Sequence, residues 1–187
     1  MWRSSQRRDD SFSPLFFVTR LFRARGPPVV PRFLVMAGPD EWGLQTAWSA
    51  QVFADGPASR VLFTGMLTGA EKADMLARAD LFALPSVGEG FSMAVLEALA
   101  ARTAVMLSPG CNFPEVDEAG CGVTVPAAAD VMADALVDLL GQPDRLRAMG
   151  QAGRALVAAK YSWEAITDRL LAVYERAIAI HAAPTAR

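Results

Sequence analysis

From residue 33 onward the chain alternates two kinds of segment. Short apolar runs recur at Phe33–Ala37, 61–64, 81–84, Ala104–Leu107 and 123–125. None alternates apolar with polar positions, so each reads as a strand buried on both faces, as in a parallel sheet. Between them, segments at 43–54, 70–78, 92–101 and 130–140 carry apolar positions three and four apart, as in Met132, Leu136, Leu139 and Leu140. The gaps accommodate the dozen or so residues that a parallel crossover needs. The pattern predicts an α/β domain with a Rossmann-like, doubly wound, mostly parallel sheet. From Pro143 the strands stop and two extra helices follow. Pro143 suits the first turn of a helix running to Lys160, and Ser162 suits the N-cap of the last one. That last helix gathers Trp163, Ile166, Leu170, Val173, Tyr174 and Ile178 on one broad face. Such a face is expected to pack on the sheet; the alternative is a surface meant for another domain.

The first 32 residues break the pattern. A remnant first strand is expected at 15–21, with its apolar core at 15–18, but 23–32 contains Pro27, Pro28 and Pro31 and cannot hold a helix. A right-handed crossover to Phe33 has no room there. Either this strand is not parallel to the next, or a helix is missing. The division expected is an irregular basic segment at 1–32 and one domain at 33–187. Residues 1–32 hold seven Arg and two Asp, so a net charge of −2 over 187 residues hides a basic start and an acidic remainder. A charge so close to balance does not announce a nucleic-acid binder. No apolar run approaches the roughly 20 residues that span a bilayer, and the apolar core at 15–18 is too short for a signal peptide. Two cysteines, Cys111 and Cys121, are too few for a disulfide scaffold and are expected as free thiols of no assignable role. His181 alone, with two cysteines ten apart, makes no metal site. These features point to a soluble, cytoplasmic globular chain.

The most informative stretch is Leu84-Pro-Ser-Val-Gly-Glu-Gly-Phe-Ser-Met-Ala-Val-Leu-Glu97. It leaves a strand, passes a glycine turn and enters a helix, at the sheet edge where doubly wound folds bind ligands. Gly88 and Gly90 let backbone approach a ligand, and the amides of residues 91–94 open a helix, where phosphate is favoured. Glu97, one to two turns on, can accept two hydrogen bonds from vicinal hydroxyls such as a ribose presents. Glu89, ahead of the helix, can reach another part of the same ligand. A dinucleotide fingerprint fails here, because its third glycine falls on Met93 and no acid lies about 20 positions on, at 106–109. A phosphorylation-receiver reading fails too, since Ala37, Thr64, Leu84 and Leu107 close the strands without acids.

Glu89-Gly-Phe-Ser-Met-Ala-Val-Leu-Glu97 is similar to the Glu-x7-Glu motif of retaining, nucleotide-sugar-dependent glycosyltransferases of the two-domain GT-B fold, group 1 and family 4-like. Four neighbouring blocks resemble the same family: Ala37-Gly-Pro-Asp40, Arg60-Val-Leu-Phe-Thr-Gly65, Ala79-Asp-Leu-Phe-Ala-Leu-Pro-Ser86 and Pro109-Gly-Cys-Asn-Phe-Pro-Glu115. Tyr161-Ser-Trp163 resembles the opening of the family's last helix. Together they cover about residues 33–180, as the C-terminal, donor-binding half of such an enzyme.

The resemblance implies roles residue by residue. Glu97 would bind the ribose hydroxyls of the donor, and Glu89, the catalytic candidate, would contact the transferred sugar. Gly90, Phe91, Ser92 and Met93 would offer backbone amides to the diphosphate. The family's basic pair against the leaving diphosphate resembles Arg20 and Arg25, with arginine at the second place instead of lysine. The Pro-rich stretch that follows replaces a helix of the family. No cofactor or metal is implied, since nothing resembles a metal-binding Asp-x-Asp; the nucleotide-diphosphate sugar is the donor substrate. The family's acceptor domain has no counterpart in residues 1–32. The chain is therefore expected to be inactive alone, half of an enzyme whose acceptor domain would be separately encoded or lost. Two rivals belong to other classes: a nonenzymatic nucleotide- or protein-binding module, and a fragment of a sugar-nucleotide epimerase. The epimerase helix opens with a serine–glycine-rich block in place of Glu89-Gly-Phe-Ser. Donor base, sugar, acceptor and oligomeric state are not legible in the sequence.

Overall fold

A computed structural model describes residues 15–19, 33–40, 43, 45, 46, 49 and 61–182 of the chain. Six strands, β1 (Leu15–Thr19), β2 (Phe33–Ala37), β3 (Val61–Gly65), β4 (Ala79–Leu84), β5 (Ala104–Leu107) and β6 (Gly122–Thr124), form one sheet in the order β3-β2-β1-β4-β5-β6. The helices are α1 (Gly69–Arg78), α2 (Met93–Ala100), α3 (Glu115–Glu118), α4 (Ala129–Leu140), α5 (Pro143–Lys160) and α6 (Trp163–Ala182). A 3-10 turn at Pro109–Cys111 and the short α3 were not expected from periodicity, being too brief to show one. Of the helix expected at 43–54, residues 43, 45, 46 and 49 are described; 45, 46 and 49 are helical, and Gly43 is a bend outside it.

The sheet is doubly wound and mostly parallel, as the alternation of segments predicts. β2 pairs with β3, β4 with β5, and β5 with β6, all parallel. β1 alone runs against them, antiparallel to both β2 and β4 at the centre of the sheet. The first of the two alternatives for this strand therefore holds. An antiparallel neighbour needs no helical crossover. Thr19 ends β1 beside Phe33 and Ala79, the first residues of β2 and β4.

β4 and β5 are buried on both faces, with a period of two. Phe82, Leu84, Val105 and Leu107 turn to one face, where they meet Leu76 of α1, Val95, Ala98 and Leu99 of α2, and Leu156 of α5. Leu81, Ala83, Ala104 and Met106 turn to the other, against Leu139 of α4 and Leu146 and Met149 of α5. β3 departs from the expected double burial, since as an edge strand it leaves Leu62 half exposed. The start of α5 serves one face and its end the other, so this helix passes around the sheet.

α2 ends in a Schellman turn. Arg102 donates its amide to Leu99 O and Thr103 to Ala98 O, both at 3.0 Å, while Arg102 adopts φ +64°. That left-handed conformation costs a side-chain-bearing residue about 1–2 kcal/mol, of which a glycine's extra unfolded-state freedom returns part. Arg102 is exposed. Arg102→Gly is therefore expected to stabilise the fold by about 1 kcal/mol, raising Tm by about 3 °C; an unchanged or lower Tm in thermal melts would contradict it.

The last helix does not pack on the sheet as expected. Trp163, Leu170, Val173, Tyr174 and Ile178 of α6 are all about half exposed or more, Trp163 by 82%. Among the described residues it is tied down at its start and by Arg169, which donates to Lys160 O. Ser162 Oγ accepts the amide of Ala165 at 3.2 Å, the N3 bond of an N-cap. No helix among the described residues is long and apolar enough to cross a membrane.

Candidate functional site

The carboxyl ends of β4 and β5 are tied into one edge before any ligand is considered. Leu84 pairs with Leu107, and Leu84 O also accepts the Ser108 amide at 3.2 Å and the Cys111 thiol at 3.2 Å. Ser108 Oγ donates to Ser86 O. The loop after β4 and the 3-10 turn after β5 then touch through Gly110. Its carbonyl accepts the Glu89 amide at 2.8 Å, and a Cβ there would stand 2.3 Å from Ser86 O. Close approach of two backbones is what requires glycine at 110.

Residues 89–93 of the sequence-predicted set follow directly on this seam. Glu89 is half-buried in the loop, with Gly90 exposed beside it. At Gly88 and Gly90 an added Cβ would meet nothing within 4 Å, so the surface beside both is open to a ligand. Ser92 is the N-cap of α2, buried, and its hydroxyl makes no capping bond. The first-turn amides from Met93 to Val95, ahead of the Leu96 amide that donates to Ser92 O, are thus left to another acceptor, at the positive end of the helix dipole. Met93 exposes its side chain, and Phe91 is half exposed. Glu97, the fifth residue of α2, is partly buried and pairs with Lys72 of α1, Nζ to Oε1 at 2.7 Å. Arg20 and Arg25 lie outside the described residues.

Two aromatic residues complete the wall. Phe91 packs on Phe113 and on Tyr161, with ring centroids 5.6 and 5.8 Å away, and Phe113 meets Tyr161 at 5.8 Å. Tyr161 donates its hydroxyl to Glu115 Oε1 at 3.1 Å. Burial first, and then the bond to Glu115, hold this phenol above its ordinary pKa, so it stays protonated and keeps donating. The triangle fixes the residue that leads into α2. Sequence reasoning did not assign Phe113 or Tyr161 to the site, although both stand inside blocks matched to the family.

Cys111 and Cys121 are free and buried. Burial pushes the Cys121 thiol up to about 11, which makes it a poor nucleophile at neutral pH. Among the described residues no three His, Cys, Asp or Glu are grouped so as to hold a metal ion.

The family model described as glycosyl transferases group 1 matches residues 18–142, two thirds of the chain and all of this edge. The chain belongs to the group 1 glycosyl transferases. A D-inositol 3-phosphate glycosyltransferase of Mycobacterium avium is 34% identical over 175 residues, 87% of this chain and 41% of that protein. Among solved structures, the C-terminal domain of a glycosyl transferase group 1 family protein from Francisella tularensis superposes with a TM-score of 0.58. It is 26% identical and covers 67% of this chain and 66% of that one. Anabaena Alr3699/HepE, solved in complex with UDP, shares the fold at TM-score 0.66 and 18% identity, over 76% of this chain and 40% of that one. This group 1 chain spans less than half the length of the curated relatives it matches. Its fold is that of a GT-B glycosyltransferase domain, and the likeness to an isolated C-terminal domain agrees with the half of the enzyme that the motifs suggest.

Proposed function

We propose that these residues form the donor-binding domain of a retaining glycosyltransferase, which takes a nucleotide-diphosphate sugar and passes its glycosyl group, configuration kept, to an acceptor hydroxyl. The observation that carries the reading is the placement of Glu89 and Glu97 on either side of the uncapped N-terminus of α2, at the carboxyl edge of the sheet. As the glycosidic bond breaks, negative charge grows on the leaving diphosphate. The amides of residues 90–93 and the helix dipole face that charge with donors already oriented, which is where electrostatic preorganisation acts. Glu97 accepts hydrogen bonds from the ribose hydroxyls and fixes the nucleoside. Glu89 contacts hydroxyls of the transferred sugar and offsets positive charge developing at its reacting carbon. The resemblance adds Arg20 and Arg25 against the diphosphate. With these groups the reading needs no metal ion. The UDP held by the Anabaena protein supports a nucleoside diphosphate as the ligand class. Transfer also requires an acceptor-binding surface, and these 187 residues by themselves are expected to bind donor nucleotide without transferring sugar.

Calorimetric titration with UDP, GDP and ADP, beside Glu97→Ala, tests the site. Hydrogen bonds to a charged group contribute about 1.5–3 kcal/mol. Loss of the carboxylate is expected to weaken the nucleotide that binds by about tenfold or more. Equal affinity of the variant, in a chain that circular dichroism shows to be folded, would overturn the assignment of Glu97.

A further inference from the structure

Glu97 is not free to turn. α1 and α2 lie side by side, and a trench of about 580 Å³ between them is lined by Gly69, Lys72, Ala73, Leu76, Glu97 and Ala100. Lys72 reaches Glu97 Oε1 at 2.7 Å across 25 positions of sequence. The two side chains keep only 31% and 36% of their surface exposed. Among the described residues, Glu97 Oε2 has no hydrogen-bond partner.

We infer that Lys72 is a positioning residue for the nucleoside, holding Glu97 through Oε1 so that the remaining acceptor sites of the carboxylate meet a vicinal diol; the inference rests on the donor-site reading of Glu97. Three physical effects act together. A glutamate side chain has three rotatable torsions, and ordering it before the ligand arrives removes a cost from binding. An ionised carboxylate offers about four lone-pair sites, of which the ammonium takes one, leaving enough for two hydroxyl donors. The ligand itself is anionic, and an ammonium on Glu97 offsets the repulsion between carboxylate and diphosphate. A partly exposed pair of this kind contributes little to fold stability, so its removal should be felt in binding far more than in melting.

The test uses the nucleotide among UDP, GDP and ADP that binds the 187-residue chain, with its 2′,3′-dideoxy counterpart. Lys72→Met is expected to weaken the ribonucleotide by about fivefold and to shrink the preference for ribose over dideoxyribose, with Tm unchanged. Lys72→Arg should restore most of both. In a Glu97→Gln background, Lys72→Met should add less than about a twofold loss, because coupled groups are not additive. Unchanged affinity and diol preference in Lys72→Met, or the same loss whether or not Glu97 is present, would overturn the role of Lys72 alone. If Glu97→Gln itself changes nothing, or if no nucleotide binds, the donor-site reading falls and this inference with it.

Discussion

Gly150→Ala is expected to destabilise the chain by about 3 kcal/mol, and Gly150→Val to leave it unfolded. Helix propensity alone predicts the opposite. Gly150 sits inside α5, where alanine is better than glycine by about 1 kcal/mol. The steric term decides. A Cβ at 150 would stand 2.0 Å from Arg102 O and 2.8 Å from Arg102 C, both backbone atoms. No rotamer change relieves a backbone clash, and the Schellman turn fixes Arg102 through its own hydrogen bonds. Relief would require α5 to move off the turn between α2 and β5, opening the contact of Gly153 with Leu99 as well. Overpacking a close contact costs typically about 1–3 kcal/mol and sometimes more, and here nothing flexible can yield. Urea titration followed by circular dichroism measures the effect. A midpoint for Gly150→Ala at or above that of the parent chain would show that α5 is not held this closely.

A substitution at the site edge should separate binding from folding. Gly110→Ala places a Cβ 2.3 Å from Ser86 O and 2.5 Å from Val87 C and O. The loop after β4 is exposed at Val87 and Gly88, so it can move where α5 cannot. A shift of about 1 Å restores ordinary contact, at the cost of the bond from the Glu89 amide to Gly110 O. Glu89 and the amides leading into α2 then move together. Misplacement on that scale can cost about a hundredfold where groups must meet a reacting ligand. Nucleotide affinity is expected to fall at least about tenfold, while the far-ultraviolet spectrum and the cooperativity of unfolding persist. Affinity within about twofold of the parent, measured in the same titration, would mean that the seam does not position the site.

The sequence made the sheet legible because its strands are short and apolar on both faces. The expected runs at 81–84 and Ala104–Leu107 fall within β4 and on β5, and the proline at 143 marks the start of α5. The direction of β1 was open, because a four-residue apolar run is the same pattern read either way and only the prolines after it carry information. The last helix misled for a related reason. An apolar face states that something should cover it, without stating that the sheet does. At the proposed site, the spacing of Glu89 and Glu97 behind a glycine turn is what suggests them. The contact of Lys72 with Glu97 is not suggested in the same way, since it comes from another element, 25 positions away. A faint signal did exist. Lys72 stands four residues before the buried Leu76, so helical periodicity puts an ionisable group on the inward side of α1. Phe113 and Tyr161 come together from loops that no periodicity connects.

The route of α5 has a bearing on how the domain comes apart. Leu146 and Met149 belong to the core on one face of the sheet, and Leu156 to the core on the other. One rigid rod of 18 residues is thereby a shared wall of both compartments. Other helices also line each compartment, but α5 is the wall they have in common, and both lose part of their cover once it leaves. The two faces are consequently expected to open together when α5 detaches, with the backbone amides of β4 and β5 between them exchanging by that shared event.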